Sequence, residues 1–508
     1  MLKFILKRLA SSLLVLFGAS VLLFVLVINS GDPLKDLRES QSNNRETLMA
    51  ARTEFMGLDQ PWFVRYFDWL KGVGGCVVGQ CDLGLNRSGQ PVLALLQNAA
   101  SSTLRLVILA TVLAIIIGVA VGIITAIRQY SGLDYAVTFL IFLFFSLPVF
   151  WAAVLLKEYM AIGFNNWIAS PTLNWGLLIV AAVVLGLALQ GAMGGGAKRR
   201  LFTFLATAAF VLGVIPLLHA LDFWRTPVLG YPAVILVGLG AAVAATAIVS
   251  GLRNRPVLHA GLATVLVGVL VFTVLRYSGL LWAQASWWLL AVLGVVTVLV
   301  GVLIGRLMGK TSKGSAVAVS VTTALFMAVT IVADTLALYW PAFLSAKSRP
   351  ISTIGSETPN FDEPFWVQFL DKGAQLLLPT ILLTIISVAT YSRYTRASML
   401  EVSRQDYIRT ARAKGLPERQ VILKHAFRNS LIPITTIMAF DFAGLIGGAV
   451  ITERVFGWKG MGELFATGLD QVDPAPVMAF FLVTGTAAVL MNLMADVFYA
   501  LLDPRIRV

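Results

Sequence analysis

Between Ser392 and Ile434 the sequence reads SRYTRASMLEVSRQDYIRTARAKGLPERQVILKHAFRNSLIPI. The segment separates two apolar runs, near 375–393 and 432–451, and holds nine basic and three acidic residues between Arg393 and Arg428. Lys and Arg concentrate in the cytoplasmic loops of membrane proteins. The pattern therefore predicts a basic inner loop between two membrane-spanning helices.

The loop has a helical pattern of its own. Apolar residues from Met399 to Ile408 predict an amphipathic helix that Gly415 ends, and Pro417 suits the first turn of a second helix. Small and basic residues form the corner between them: Arg409, Thr410, Ala411, Arg412, Ala413, Lys414, Gly415 and Leu416. Such a corner allows close docking of a partner. The alternative is a solvated face attracted to anionic lipid at about 1 kcal/mol per basic residue, which would not require small residues.

The rest of the chain is strongly apolar. Of its 508 residues 58% are hydrophobic and 13% are charged, and its mean hydropathy is +0.83. Soluble domains carry about 25% charged residues, so this composition excludes an ordinary globular enzyme, a disordered chain and a nucleic-acid-binding protein. The sequence predicts an all-α integral membrane protein.

Twelve apolar runs approach the length of about 20 residues that a spanning helix needs. They lie near 9–28, 101–126, 135–160, 175–193, 201–220, 230–251, 257–275, 284–304, 316–338, 375–393, 432–451 and 477–500. The first run follows Lys3, Lys7 and Arg8 and lacks a cleavage signal, so we expect an uncleaved anchor. Both chain termini are then expected in the cytoplasm, and most of the net charge of +13 falls in inner loops.

The spans divide into three regions. Residues 1–162 hold the anchor, an external domain and two spans, and residues 345–508 hold three spans with the cytoplasmic loop at 393–430. Residues 163–344 form a block of about six short-looped helices whose acids are Asp222 and Asp334. This composition, which differs from that of both flanks, predicts an insertion. An even number of spans allows such a block to enter and leave on the same side of the membrane.

With these residues in view, the chain resembles the permease subunits of bacterial ABC importers of the dipeptide, oligopeptide and nickel class, first-permease type. The family's cytoplasmic loop carries an EAA-xxx-G pattern. Here Arg409, Thr410 and Ala411 take the EAA places and Gly415 takes the glycine, within the peptide-branch wording DYIRTARAKGL at Asp406 to Leu416.

Other segments of both flanks also look like family landmarks. They are Gly31-Asp32-Pro33, Asp82-Leu83-Gly84, TERVFGWKGMGELF at Thr452 to Phe465, and Asp503 to Arg507. Lys459 stands where the family has proline. The central block has no counterpart in six-span members.

The resemblance implies a type I importer permease bundle of about 12 helices, six in the core and about six inserted. It implies a subunit without enzymatic activity or cofactor, whose central cavity alternates between outward and inward access when partner ATPases bind ATP. The implied partners are a second permease subunit in a heterodimer, two ATP-binding subunits, an extracytoplasmic substrate-binding protein and the bacterial inner membrane. Dipeptides, oligopeptides, nickel complexes and other small solutes all stay open as substrates.

A carboxylate lies in the middle of a predicted span. Asp441 has Gly444, Gly447 and Gly448 beside it on a thin helix face. Ionisable groups inside spans are functional by default. Two roles stay open: a contact in the translocation pathway with a cationic substrate group, or a carboxyl hydrogen-bonded between helices.

Three further predictions concern structure. Arg393 and Asp496 lie at similar predicted depth and are expected to form an ion pair that fixes the entry of the loop. Cys76 and Cys81 lie in the external domain, an oxidising setting that favours a disulfide, although free thiols stay open. The three histidines are far apart and lack partners at ligand spacing, so no metal site is predicted.

Two other function classes compete with import by an ABC permease. An ion-coupled secondary transporter of about 12 spans fits the span count, but such proteins often show related halves and paired intramembrane carboxylates. A membrane enzyme acting on lipids would need a convergent Ser, His and Asp constellation or a metal site, which the sequence does not offer.

Overall fold

The computed structural model describes the backbone of residues 2–41 and 43–502. Side chains are described within those ranges except at 2–7, 311, 419, 432, 436, 439, 443, 446–448 and 495–502. Over this part of the chain the regular structure is helical, which confirms the predicted all-α membrane fold. Within these described residues, ten helices are long and apolar enough to cross a bilayer, or eleven if one bent pair counts as a single span. The predicted span 432–451 coincides with the helix Arg428–Gly448.

The N-terminal flank begins with the anchor helix α1 (Leu2–Ile28). Three shorter helices form the external segment: α2 (Lys35–Glu39), α3 (Arg45–Met56) and α4 (Trp62–Val77). The long helix α5 (Val92–Ile127) follows and returns through the membrane.

The predicted span at 135–160 is sharply bent in the structure. The structure has α6 (Gly132–Ser146) and then a second helical run composed of α7 (Val149–Leu155), the π-helical segment Leu156–Ile162 and α8 (Gly163–Ala169). The two runs meet at 104°. Pro148 explains the bend, because proline lacks an amide donor and drives the residue before it out of the α region.

The predicted inserted block contains all six of its expected helices. They are α9 (Trp175–Met193), α10 (Ala197–Ala220), α11 (Gly230–Val249), α12 (Arg255–Tyr277), α14 (Trp287–Met308) and α15 (Lys313–Ala346), with a single turn α13 (Leu280–Ala283) before α14. α9 and α10 form a hairpin beside α6, whereas α11, α12, α14 and α15 form a bundle whose last helix contacts the C-terminal flank.

The C-terminal flank starts with α16 (Phe365–Ser403), which packs along α5. The other C-terminal helices are α17 (Asp406–Ala413), α18 (Glu418–Gln420), α19 (Arg428–Gly448), α20 (Val450–Phe456), α21 (Met461–Asp470) and α22 (Pro474–Leu502), with the π-helical segment Val421–Phe427 between α18 and α19. Small residues bring α5 and α16 together: a Cβ added at Gly122 would lie 2.6 Å from Cβ of Thr395. This close approach of backbones is a common way to pack spanning helices.

Candidate functional site

The short helix α17 is seated on the ends of the spans by its apolar side. Ile408 and Ala411 are buried, at 0% and 6% exposure. They pack with Met399 of α16 and Val421 of the π-helical segment, and Ile123 near the end of α5 borders the same cluster. α17 is therefore in contact with the segments that lead into three different membrane helices.

The opposite side of α17 is exposed and basic. Its exposed side chains are Asp406, Tyr407, Arg409, Thr410, Arg412 and Ala413, and the exposed Lys414 follows directly after the helix. Ala413 places a small residue among these cations. The corner predicted for docking is thus presented to solvent.

The corner has a defined backbone geometry. Gly415 adopts a left-handed conformation with φ of 73°, and the amide of Leu416 donates to the carbonyl of Ala411 at 3.4 Å. The amide of Gly415 donates to the carbonyl of Arg412 at 2.9 Å. This pair of bonds is the Schellman motif that commonly ends helices at glycine. Gly415 ends the helix as predicted.

An ion pair spans the corner. The Arg412 guanidinium donates to both carboxylate oxygens of Glu418, with Nη2 2.7 Å from Oε1 and Nε 3.1 Å from Oε2. The hydrogen bond from Arg412 holds the pKa of Glu418 below its ordinary value. Both side chains are about half exposed, at 45% and 57%, so the pair holds the shape of the turn more than it stabilises the fold.

The predicted amphipathic helix from Met399 is divided in the structure. Met399 and Val402 belong to the last turns of α16, and the chain breaks at Arg404 and Gln405 before α17 begins. Gln405 is extended, with ψ of 149°, and Asp406 lies in the first turn of α17. An acidic residue there is favourable beside the unpaired amides of a helix start.

A buried ion pair that the sequence analysis missed ties α16 to α6. Arg396 Nη2 lies 2.8 Å from Asp134 Oδ2, and Asp134 also accepts from the amide of Tyr130 at 2.9 Å. The side chain of Asp134 is 3% exposed. Ser131 caps the helix by accepting from the amide of Asp134. The Ser-x-x-Asp spacing at a helix start was the available signal.

Asp496, the predicted ion-pair partner of Arg393, lies outside the residues whose side chains the structure describes, as do Gly447 and Gly448. The guanidinium of Arg393 lies over two aromatic rings, 5.3 Å from the centroid of Phe145 and 5.3 Å from that of Tyr394. The Arg393–Asp496 pair stays a prediction.

Asp441 bridges two helices. Its Oδ2 accepts hydrogen bonds from the hydroxyls of Tyr391 at 2.6 Å and Ser387 at 3.1 Å, both on α16. The side chain is half-buried, and a Cβ at neighbouring Gly444 would meet open space. The geometry corresponds to the interhelical alternative and leaves part of the side chain accessible.

A second buried carboxylate organises the segment Thr452 to Phe465, and the sequence analysis did not identify it. Glu453 is 0% exposed. Its Oε1 accepts from Thr103 Oγ1 at 2.6 Å, and its Oε2 accepts from the amides of Gly462 at 2.7 Å and Glu463 at 3.1 Å. Burial raises the pKa of Glu453, and these donors oppose that shift.

The glycines of this segment make room for the carboxylate. A Cβ at Gly460 would lie 2.4 Å from the carboxyl group of Glu453, and one at Gly462 would lie 2.5 Å from Cα of Val450. Lys459, at the family's proline position, is exposed. The turn is therefore built around Glu453, and the side chain at position 459 projects away from it.

The external segment carries a disulfide. Cys76, near the end of α4, is bonded to Cys81. Both cysteines border a cluster around Leu83, which is 1% exposed. The bridge closes the loop through which the chain leaves α4.

Among the side chains that the structure describes, no group of three or more His, Cys, Asp or Glu residues could hold a metal ion.

Two family profiles match the flanks described above. Residues 297–508 match the family described as binding-protein-dependent transport system inner membrane component, and residues 1–107 match the N-terminal part of such components. Together the two matches cover more than half of the chain. The chain belongs to this family of inner membrane transport components. It is a multi-pass membrane protein, and the larger match begins within α14 of the predicted insertion.

Curated relatives of this inner membrane component are peptide permeases by name. The oligopeptide transport system permease protein OppB of Mycobacterium tuberculosis is 44% identical over 154 residues, 30% of this chain and 47% of the relative. AppB of Bacillus subtilis, also an oligopeptide permease protein, is 42% identical over 154 residues, 30% of this chain and 48% of its own length. The dipeptide permease protein DppB of Escherichia coli is 42% identical over 139 residues, 27% of this chain and 41% of its own length. The matched part spans less than half the length of each relative.

Proposed function

We propose that this chain is the membrane-spanning permease subunit of an ATP-driven importer of dipeptides, oligopeptides or similar small solutes. The names of the relatives support peptides as substrates, and the family description supports dependence on an extracytoplasmic binding protein. The observation that carries the proposal is the construction of α17. One side is embedded among the ends of the spans, and the other presents a small and basic docking corner.

The embedded side explains how motion would be transmitted. Ile408 and Ala411 have no room to slide independently, because α5, α16 and the segment leading into α19 surround them. Displacement of α17 by a closing ATPase is passed to these helices. The Arg396–Asp134 pair extends the connection to α6.

The exposed side defines the partner. Lys414 is exposed, and Arg409 is 72% exposed with a 3.5 Å ion pair to Asp406, so both can reach carboxylates that line a cleft. Ala413 allows the helix to enter that cleft closely. Two ATP-binding subunits serve a heterodimer of this chain with a second permease subunit. Both termini of this chain lie on the cytoplasmic side with α17.

The test compares two tryptophan substitutions at exposed positions of the same loop. Ala413→Trp fills the docking corner, whereas Gln420→Trp adds the same bulk on the far side of Glu418. We expect Ala413→Trp to lose co-purified ATPase subunits and at least tenfold of labelled dipeptide uptake, with unchanged thermal unfolding. Gln420→Trp should retain ATPase association, dipeptide uptake and the unchanged thermal unfolding. Unchanged association in Ala413→Trp, or uptake by the chain alone driven by a proton or sodium gradient, contradicts the proposal and favours the secondary transporter.

Asp441 serves in this proposal as the link between α19 and α16. Asn at this position keeps an oxygen that accepts from Tyr391 and removes the charge. Asp441→Asn should therefore retain peptide uptake and stability, whereas Asp441→Leu, which cannot accept, should unfold at a lower temperature. Loss of uptake in a stable Asp441→Asn variant would instead assign the carboxylate to the translocation pathway.

A further inference from the structure

The helix α4 of the external segment has more apolar surface than the protein covers. Its buried side consists of Tyr66, at 2% exposure, with Trp69 beside it. Trp62, the first residue of the helix, is 45% exposed. Three further apolar side chains are exposed: Phe63 at 49%, Phe67 at 58% and Val77 at 89%. At 100° per residue these three fall within a sector of about 80° that adjoins the buried side.

The exposed charged residues of α4 occupy a different sector. Asp68 and Lys71 are exposed and lie beyond Phe67 on the helical wheel, away from Tyr66. The helix thus has three sides: one buried in protein, one apolar and uncovered, and one charged. A helix of this type is expected to lie in the plane of a membrane interface.

Contacts with the first span fix the depth of α4. The hydroxyls of Tyr66 and Ser20 share a hydrogen bond of 2.8 Å, and the ring of Tyr66 packs edge to face with Phe24 at 5.6 Å and Phe17 at 6.3 Å. Ser20 is eight residues before Ile28, where α1 ends. At 1.5 Å per residue this is about 12 Å below the end of the span. Tyr66 is therefore at the level of the acyl chains and not above the membrane.

The span α1, which α4 contacts, has an exposed apolar surface of its own. On that span Phe17 is 46% exposed, Leu22 is 62% exposed and Leu26 is 59% exposed. Aromatic side chains are favourable at the level of the membrane interface. In water the same side chains would form an unusually apolar patch.

We propose that α4 is embedded in the outer leaflet, with Phe63, Phe67 and Val77 against lipid acyl chains. The embedded helix holds the external segment beside the outer ends of α1 and α22. Its disulfide between Cys76 and Cys81 turns the chain back out of the membrane toward Leu83. This role is independent of the substrate and of the partner ATPases.

Site-directed spin labelling of the intact transporter tests the depth. The chain has two cysteines, both in the disulfide, so an introduced cysteine is the only free thiol of this chain. Nitroxide labels at Phe63→Cys and Phe67→Cys are compared with Asp68→Cys and Lys71→Cys, in vesicles of phosphatidylethanolamine and phosphatidylglycerol. Leu22→Cys on α1 is the lipid-exposed reference. The partner subunits are used with their own exposed cysteines removed.

We expect the labels at positions 63 and 67 to collide more with oxygen, which partitions into lipid, than with a water-soluble nickel chelate, as at position 22. Labels at positions 68 and 71 should collide more with the nickel chelate than with oxygen. Greater accessibility to nickel at positions 63 and 67 would overturn the proposal in favour of a solvent-exposed helix. Shielding from both reagents would overturn it in favour of a protein partner on this face.

Discussion

The core of the chain and its inserted block are both helical, yet different forces determine their geometry. In the core, buried polar bonds join distant elements, as Glu453 joins the segment after α20 to α5 and Arg396 joins α16 to α6. In the block, the helices pack mainly through aliphatic side chains and leave many of them to lipid. An unsatisfied polar group in hydrocarbon is costly, whereas an apolar side chain has similar surroundings in protein and lipid. Buried polar bonds help to specify the arrangement of both regions, but the block, where Asp334 pairs with Arg276, depends more on apolar packing.

The block is attached to the core at both ends of its spans. Trp366, at the start of α16 and 1% exposed, donates its indole N–H to the carbonyl of Leu281 at 2.6 Å. At the other end of the spans Arg128, directly after α5, donates to the carbonyl of Ala192 in α9 at 3.1 Å. The predicted topology places the contact of Trp366 outside and that of Arg128 inside. The block is thus anchored both away from the docking corner of α17 and on the same side as it.

The largest difference between the regions is expected at glycines that separate helix pairs. A Cβ at Gly122 would lie 2.6 Å from Thr395 in the core, and one at Gly305 would lie 2.4 Å from Cα of Val317 in the block. Forcing side chains into such contacts costs about 1–3 kcal/mol or more. Gly122→Leu and Gly305→Leu should both lower the temperature of unfolding, but only Gly122→Leu should abolish peptide uptake per folded molecule.

Gly294→Leu is the matched control for this comparison. Gly294 lies on the same helix as Gly305, and its added Cβ would meet open space. It should unfold and transport like the unchanged chain. If Gly305→Leu stops uptake by protein that remains folded, the block takes part in transport and the division into two regions is incorrect.

The sequence was informative where the signal is local. Runs of about 20 apolar residues predicted the spans of the block, and Gly415 predicted the end of α17, because hydropathy and left-handed backbone depend on neighbouring residues. The bonds of Glu453 and Arg396 could not be predicted this way. Their partners Thr103 and Asp134 lie 350 and 262 residues away in sequence. Pro148 was a local signal for the bend after α6 that the apolar run concealed.

An intermediate effect is expected at the buried ion pair of the block. Asp334, 3% exposed, lies 2.9 Å from Nη1 of Arg276 and accepts from the amide of Gly230 at 2.7 Å. An Asn side chain here would point its NH₂ group at one of the N–H donors of Gly230 and Arg276. It would also leave Arg276 without its counter-charge. We expect Asp334→Asn to lower the free energy of unfolding by about 1–3 kcal/mol. Thermal unfolding should register the change, and uptake per folded molecule should stay constant.

Asp222→Asn serves as its control. Asp222 is the other acid of the block, is exposed, and has φ of 50°, a conformation that Asn tolerates well. Its stability should be unchanged. A fall in uptake with Asp334→Asn at constant folded protein would link the block to the transport cycle.

The smallest change in stability, and the most informative one, is expected at the exposed pair of the docking corner. Arg412 lowers the pKa of Glu418, so this pair contributes stability above the ordinary carboxyl pKa of 4.5 and loses it as pH falls through the lower value in the folded chain. Glu418→Gln should remove that dependence and cost less than about 1 kcal/mol. Asp470→Asn, which breaks the similarly exposed pair of Arg454 and Asp470 near the other end of the core, is the matched control.

Glu418→Gln and Asp470→Asn distinguish the effect of a bond's strength from the effect of its location in the fold. If the core determines function through the geometry of α17, Glu418→Gln should weaken ATPase association several-fold at neutral pH while barely changing the unfolding temperature. Asp470→Asn should leave association unchanged. The weak ion pair at the docking corner would then affect coupling to the ATPase more than the stronger buried ion pair of Asp334 in the block. The reason is that coupling depends on the position of α17 and not on the free energy that stabilises it there. Equal ATPase association for Glu418→Gln, Asp470→Asn and Asp334→Asn would contradict that conclusion.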